Sequence, residues 1–473
     1  MPPLHQAQLR HSLYYQQLLE RLAKSYSQSG AVAKVALDKL RAEWTNIETG
    51  HRWASENTDE VGAALRHEYA ASAALIKEWT THPKELVRWA KEGLFAARQL
   101  DDRESAGRFL SNLGHAWDLM GRPRPALTCH RLALQISREF SNRQTEAEDL
   151  FGVGMALLDL GGALEAVPLF EQSLEVLRDL GDRFIEASAL SNLGLAYEAL
   201  GNIHRAISCH EQALTIAREF GDRRGEAQVL NQIGVCYESL GDATGAIPMH
   251  ENALEIFRSF GDRRREGETL NELGNCFYDL GDWQTSLECF AQSLTLARQS
   301  GSLIGEADAL GNLGIVYQAL GDLPRAIEHH EQSLKLARLS GDLQNQGRSL
   351  GNLGRVFEAQ GDWQHAVNLH GQALNISRQI GDCTAEAHDL CNLASAFAVA
   401  HQPHEVIEKA EQSLALSREL GLREVEAEDL RLLGVAHQAL GDHTFAADCF
   451  RRSLELAQEL NNPTAQKAAL DSA

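Results

Sequence analysis

The chain has 473 residues, with 44 Lys/Arg against 66 Asp/Glu and a formal charge of -22. That acidity argues against a nucleic-acid partner, because neutralising phosphates needs a basic face. No apolar run reaches the roughly 18–20 residues that span a bilayer, and the opening MPPLHQAQLRHSLYYQQ has no basic-then-apolar signal region, so a cytoplasmic protein without membrane attachment is expected.

Residues 1–103 read as a helical N-terminal region of nearly balanced charge, and the acidic excess falls on the remainder. Two helices are expected over 5–28 and 32–57, separated near Gly30. Four of the 7 tryptophans lie in this region: Trp44, Trp53, Trp79 and Trp89. Val87, Leu94, Arg98 and Arg103 stand 40 residues ahead of Leu127, Leu134, Arg138 and Arg143. The stretch 83–103 therefore reads as the second helix of a worn repeat. Its first helix falls at about 59–79, with Ala73-Ala74 where later copies have Leu-Gly.

From 104 to 460 the chain repeats itself nine times with a period of 40. One leucine recurs from Leu110 to Leu470 and a second from Leu134 to Leu454, with no insertion. Such a period means stacked units, each burying its apolar face against its neighbours. In the third copy Leu190, Leu193, Tyr197 and Leu200 are spaced 3, 4 and 3, the stripe of an amphipathic helix. Gly201 then ends that helix, and glycines at the same place in seven other copies suit a left-handed cap. Asp242, Asp282, Asp322, Asp362 and Asp442 follow directly and are placed to N-cap the second helix. An arginine column, Arg138 to Arg418, closes the second helix, where a cation suits the dipole and pairs with a first-turn glutamate of the next helix. A glycine inside eight of the nine first helices, such as Gly194 of the Leu-Gly pair, costs about 1 kcal/mol against alanine. It implies a close neighbour, expected to be the small residue of the second helix, such as Ala206. Asn462-Pro463 opens a last helix through Leu470, so 461–473 reads as a C-terminal cap. The fold expected is all-α, a right-handed α-solenoid of antiparallel helix hairpins.

The 8 cysteines form no CxxC pair, and Cys236 and Cys276 stand where the other seven repeats have Ala or Val. They read as small buried residues of a reducing compartment. His130, His210, His250, His330 and His370 share one column with Phe170, Phe290 and Phe450. Equivalent positions on stacked helices lie roughly 9–10 Å apart, too far for a shared zinc, so this column reads as core packing. No HExxH or GxSxG is present, and Gly152-x-Gly154 lies inside a repeat helix. No catalytic residue, cofactor or metal is expected.

The Leu-Gly pair, the aromatic three residues on, the small residue and the later alanine resemble the tetratricopeptide repeat. In the third copy they are Leu193-Gly194, Tyr197, Ala206 and Ala213. The 40-residue form with AREFGDR-type linkers is similar to LGN/Pins-type adaptors and to the repeat sensor of bacterial STAND NTPases. RHSLYYQQLLERL and LRAEWTNIETGHRWA resemble the segment that joins winged-helix and repeat regions in the latter. No GxxxxGK[ST] phosphate loop occurs in the chain.

The resemblance implies a concave groove lined by the first helices. The face off the core stripe holds Asn112, Asn192, Asn312, Asn352 and Asn392 at one position, with Asn231 adjoining. Asparagine is a poor mid-helix residue, and here it suits bonding to a ligand's main chain. The fifth repeat adds Glu268, Asn271, Glu272, Asn275 and Asp279, with Asp308 from the sixth; the seventh adds Arg348 and Arg355. Arg348 and Asn352 have the spacing of a carboxylate clamp known in the family. The expectation is a non-enzymatic scaffold holding an extended peptide or partner segment, basic over repeat five and acidic over repeat seven. Two other functions stay open: the sensor part of a STAND-type signalling ATPase system, and a response-regulator phosphatase of the tetratricopeptide type. The sequence leaves the oligomeric state undefined.

Overall fold

The computed structural model describes residues 3–26, 31–74, 83–460 and 463–472, and among them finds twenty-three helices and no strand. No helix among the described residues is long and apolar enough to cross a membrane. The chain divides into two units, Met1–Cys236 and Tyr237–Ala473.

The first unit opens with α1 (Pro3–Tyr26) packed on α2 (Ala31–Glu56), then α3 (Glu60–Ala74) packed on α4 (Pro83–Gln99). Helices thus fall on the stretches 5–28, 32–57, 59–79 and 83–103; Gly30, expected to separate the first two, and the stretch 75–82, with Trp79, lie outside the described residues. Their shared core sets the aromatic Trp53, Tyr69 and Trp89 among aliphatic residues such as Leu19, Leu40 and Ile47. Trp89 stacks on His51 with ring centroids 4.0 Å apart, and the buried Tyr69 hydroxyl donates to Ser12 O at 2.7 Å. Three hairpins follow: α5 (Arg103–Asp118) with α6 (Pro123–Glu139), α7 (Arg143–Asp159) with α8 (Ala163–Leu180), and α9 (Arg183–Ala199) with α10 (Ile203–Glu219). The boundary falls within α11 (Arg223–Ser239).

The second unit continues with α12 (Ala243–Phe260) and then four hairpins: α13 (Arg263–Asp279) with α14 (Trp283–Ser300), α15 (Leu303–Ala319) with α16 (Leu323–Ser340), α17 (Leu343–Ala359) with α18 (Trp363–Ile380), and α19 (Cys383–Val399) with α20 (Pro403–Leu420). A fifth joins α21 (Arg423–Ala439) to α22 (His443–Glu459), and α23 (Pro463–Ser472) packs on that pair. Residue Asn462, expected to cap α23, lies outside the described residues. Each unit is thus an all-α solenoid of stacked antiparallel hairpins.

The turns behave as their residues dictate. Gly241 adopts φ 72°, the Asp242 N–H closes on Tyr237 O at 2.9 Å, and the Asp242 carboxylate accepts from the Gly245 N–H at 2.9 Å. All five expected aspartate caps form. A second set caps the first helices, for example Asp182 on the Ile185 N–H and Asp262 on the Arg265 N–H.

The arginine column pairs across successive helices as expected. Arg138–Glu146, Arg218–Glu226 and Arg298–Glu306 close at 2.8–2.9 Å. Arg338 has Gln346 eight residues on, and that amide bonds Ala337 O instead, at 3.1 Å.

Seven of these glycines meet a ring of the second helix rather than the small residue expected. A Cβ at Gly314 would lie 2.5 Å from the His330 ring, and one at Gly274 the same distance from Phe290. The ring column of the second helix therefore fills the missing side chain. The small-residue column sits against the same backbone, with the buried Ser286 hydroxyl donating to Gly274 O at 2.8 Å. A further serine column ties second helix to first, as Ser333 does to Ala307 O and Ser413 to Ala387 O.

Candidate functional site

Successive first helices touch one another as well as their own partners. In the first unit α5 meets α7 and α7 meets α9; in the second α13 meets α15, α15 meets α17, α17 meets α19 and α19 meets α21. Among the described residues no two second helices of adjacent repeats make comparable contact. The first helices therefore converge along one face of each unit, and the polar residues singled out from the sequence stand on these helices.

In the first unit Asn112, Asn192 and Asn231 are half-buried, on α5, α9 and α11. The Asn192 amide donates back to Ser188 O at 2.9 Å, within its own helix. In the second unit Asn312 and Asn392 are half-buried on α15 and α19. Asn271 is half-buried on α13, and its side-chain oxygen is enclosed without a partner.

The charged part lies wholly in the second unit. Glu268 is exposed and accepts from Arg264 at 2.6 Å. Glu272 accepts from the Asn275 amide at 3.2 Å. Burial, reinforced by the charge of Glu238, pushes its carboxyl up to about 7; His250 and Asn275 oppose the shift and Asp308 adds to it. Asp279 is raised by burial and by Glu238. The face of repeat five thus concentrates negative charge that a cation or basic side chain would relieve.

Repeat seven departs from a simple clamp. Arg348 reaches back one repeat to ion-pair with Asp308 and also donates to Asn345 at 2.5 Å. Arg355, not Arg348, bonds Asn352, whose side-chain oxygen it meets at 2.6 Å. The basic residues of the seventh repeat and the acidic residue of the sixth are joined before any ligand arrives. An incoming carboxylate has to compete with Asp308 for Arg348.

Two buried polar systems escaped the column-by-column reading. His130 bonds Asp118 at 2.9 Å, His250 bonds Glu238 at 2.7 Å and His370 bonds Glu358 at 3.1 Å. Histidine occupies the ring column where an acid stands 12 residues earlier, with Gln318 before His330 as the exception. Phenylalanine occupies it where that position holds Leu158, Tyr278 or Gln438. The second system is three buried aspartates in one column of the first helices, Asp149, Asp389 and Asp429. Each stands 12 residues after a serine, Ser137, Ser377 or Ser417, whose hydroxyl interacts with its carboxylate. Burial pushes Asp149 up to about 6 and the other two up to about 7. The signal for both systems is in the sequence, as correlated exchange between two columns.

Family models for the tetratricopeptide repeat match residues 143–219, 225–299 and 305–379, and again 430–464. No curated protein sequence matches the chain. Among solved structures, one similar fold is a signal transduction ATPase with numerous domains (STAND) carrying a tetratricopeptide-repeat sensor, from Pyrococcus horikoshii. The identity is 13%, the TM-score 0.55, and the match covers 87% of this chain and 64% of that one. A Rap protein complexed with competence and sporulation factor aligns at 14% identity and TM-score 0.54, over 76% of this chain and 99% of its own. Aspartyl phosphate phosphatase F from Bacillus subtilis aligns at 11% identity and TM-score 0.51, over 79% and 94%. At these identities the likeness is one of fold.

Proposed function

The chain belongs to the tetratricopeptide-repeat family, and from that premise we propose that it is a non-enzymatic scaffold that binds an extended peptide or partner segment along its first helices. The observation that carries this reading is the polar face itself. First helices that approach one another present half-buried asparagines where a solvated surface would favour Lys or Glu, and Asn271 holds an enclosed oxygen without a partner. An extended backbone supplies donors and acceptors at every residue, whatever its sequence. The Rap structure, solved with competence and sporulation factor, adds support from a protein of the same fold.

Specificity comes from charge in the second unit. Basic side chains of the ligand sit over Glu268, Glu272 and Asp279, and an acidic one takes Arg348 and Arg355 in competition with Asp308. The 8 free cysteines favour a reducing, cytoplasmic setting. Screening the full chain against a peptide library, then repeating it with Glu272→Lys and Arg348→Glu, tests this. Each substitution should weaken the selected peptides by about tenfold or more, roughly 1.4 kcal/mol. Peptides that bind both variants as tightly as the parent would refute the reading.

A second reading is the sensor part of a STAND-type ATPase system. The fold likeness to such a protein over 87% of the chain favours it, and recovery of a separate ATPase subunit with the chain is its test. The phosphatase alternative rests on likeness to aspartyl phosphate phosphatase F; release of phosphate from a phosphorylated response regulator would establish it.

A further inference from the structure

Two of the column histidines belong to mixed donor sets. Glu198 on α9, His210 on α10 and Cys236 on α11 bring a carboxylate oxygen, a ring nitrogen and a sulfur within 4.8 Å of one another. Glu238 on α11, His250 on α12 and Cys276 on α13 repeat the arrangement 40 residues later. Both histidines and both cysteines are completely enclosed, while the glutamates are half-buried. The Cys236 Sγ lies 3.8 Å from Glu198 Oε2.

His210 is set apart from His330, which is equally enclosed, by its neighbours: Gln318 and Val356 stand where His210 has the donors Glu198 and Cys236. Its ring is fully buried, yet neither nitrogen has a hydrogen-bond partner. Buried polar atoms are ordinarily satisfied, and leaving one unmade costs about 1–3 kcal/mol. Other repeats avoid that cost with Phe170, Phe290 or Phe450 in the same place. The cysteines carry a second, independent sign. Their position holds Ala or Val in the other seven repeats, and cysteine follows two of the three repeats that have both Glu and His, the third, with Glu358 and His370, being followed by Ala396. A small buried filler has no reason to follow the residues two helices back. A shared ligand supplies one.

We propose that these are two binding sites for a zinc-class divalent ion, one in each unit, each formed by a thiolate, an imidazole and a carboxylate. The donor set decides the class. Calcium and magnesium take oxygen ligands, whereas sulfur and nitrogen with one carboxylate suit zinc and its neighbours. Bonds of about 2.0–2.3 Å put the ligands of a tetrahedral ion roughly 3.3–3.8 Å apart, so side-chain adjustment alone closes each set. Binding displaces the thiol proton to solvent and leaves the imidazole neutral. The half-buried glutamate marks the side from which the ion enters and on which a fourth, exchangeable ligand sits. The ion joins three consecutive helices, so it should stiffen the stack where it binds.

The test uses the full chain, untagged and freed of metal by a chelator. Titration with Co(II) should give thiolate-to-cobalt absorption in the near ultraviolet and tetrahedral bands in the visible, saturating at two equivalents. Zinc measured by plasma mass spectrometry after dialysis should also be two per chain. Cys236→Ala and Cys276→Ala place the residue that five other repeats use there, so the fold is retained, which circular dichroism checks. Each should remove one equivalent, and the double variant both. His210→Phe should remove the first site alone. Absence of the cobalt–thiolate band overturns the proposal, and so does a stoichiometry that the double cysteine variant leaves unchanged.

Discussion

His330 offers the sharpest test of how the ring column works. It is fully buried, both ring nitrogens lack partners, and the residue 12 positions earlier is Gln318 rather than an acid. Burial, with Arg355 and His329 adding to it, lowers its pKa from 6.5 to about 3. The equivalent Phe290 sits against Gly274 with the clearance that His330 has against Gly314, so His330→Phe fits the space. At pH 8 the ring is neutral in both states. The gain is then the relief of enclosed, unpartnered nitrogen, about 1–3 kcal/mol. At pH 5 the unfolded chain binds a proton that the folded chain refuses. Stability of the parent is therefore fully present above about 6.5 and is lost as pH falls toward 3. Standing 1.5 pH units below the unfolded value costs the parent about 2 kcal/mol, and phenylalanine removes that loss. The substitution should thus stabilise by roughly 2 kcal/mol more at pH 5 than at pH 8. A repeat array need not unfold as one unit. The assay is therefore amide hydrogen exchange over α15 and α16 at both pH values, corrected for intrinsic rates. Equal protection gained at the two pH values, or protection lost at pH 8, would refute the reasoning.

The buried aspartates carry the opposite pH dependence. Asp429 is fully buried and raised by that burial to about 7, so its stabilising contribution is complete below about 4 and is lost as pH rises through 7. Asp429→Asn keeps an acceptor for Ser417 and cannot ionise. It should stabilise α21 and α22 by roughly 2–3 kcal/mol more at pH 8 than at pH 5, read as amide hydrogen-exchange protection over those helices; a gain independent of pH contradicts the burial argument. The glycines of α15 separate packing from propensity within one helix. Gly311→Ala places a Cβ in ordinary contact, 3.5 Å from Ser333 Oγ, and should stabilise by up to about 1 kcal/mol. Gly314→Ala drives its Cβ into the His330 ring, and overpacking of about 1–3 kcal/mol should outweigh the same helical gain. Thermal melts in which both variants move the same way would dispose of this distinction.

Much of the fold is written in the period. Leu190 and Leu214, Gly201 and Gly241, the capping aspartates and the Arg–Glu pairs recur because every interface is built alike, and one copy predicts the rest. The neighbour of the Leu-Gly glycine was less legible. Glycine announces a close approach but does not say by what, and both a ring and a small residue come from the facing helix. The candidate face was legible as a set of positions, not as a set of bonds. Spacing puts Arg348 and Asn352 on one helix surface, but it cannot show that Asp308 on α15 takes Arg348 first, since that choice depends on how two hairpins stack.

The buried polar systems show what a column-wise reading loses. A column that alternates between histidine and phenylalanine looks like tolerant packing, and for His330 that is what it is. Taken with the column 12 residues earlier, His130 goes with Asp118, His250 with Glu238 and His370 with Glu358, because a buried imidazole needs a partner that a phenyl ring does not. The same logic ties Asp389 to Ser377 and Asp429 to Ser417. In a solenoid each side chain meets only its own and adjacent repeats, so correlated exchange can be sought at a few fixed offsets: within the hairpin, from second helix to next first helix, and from first helix to next first helix. Cys236 and Cys276 emerge on that search as members of sets with His210 and His250. Their functional content lies in what accompanies them two helices earlier, where stacking alone would have accepted alanine.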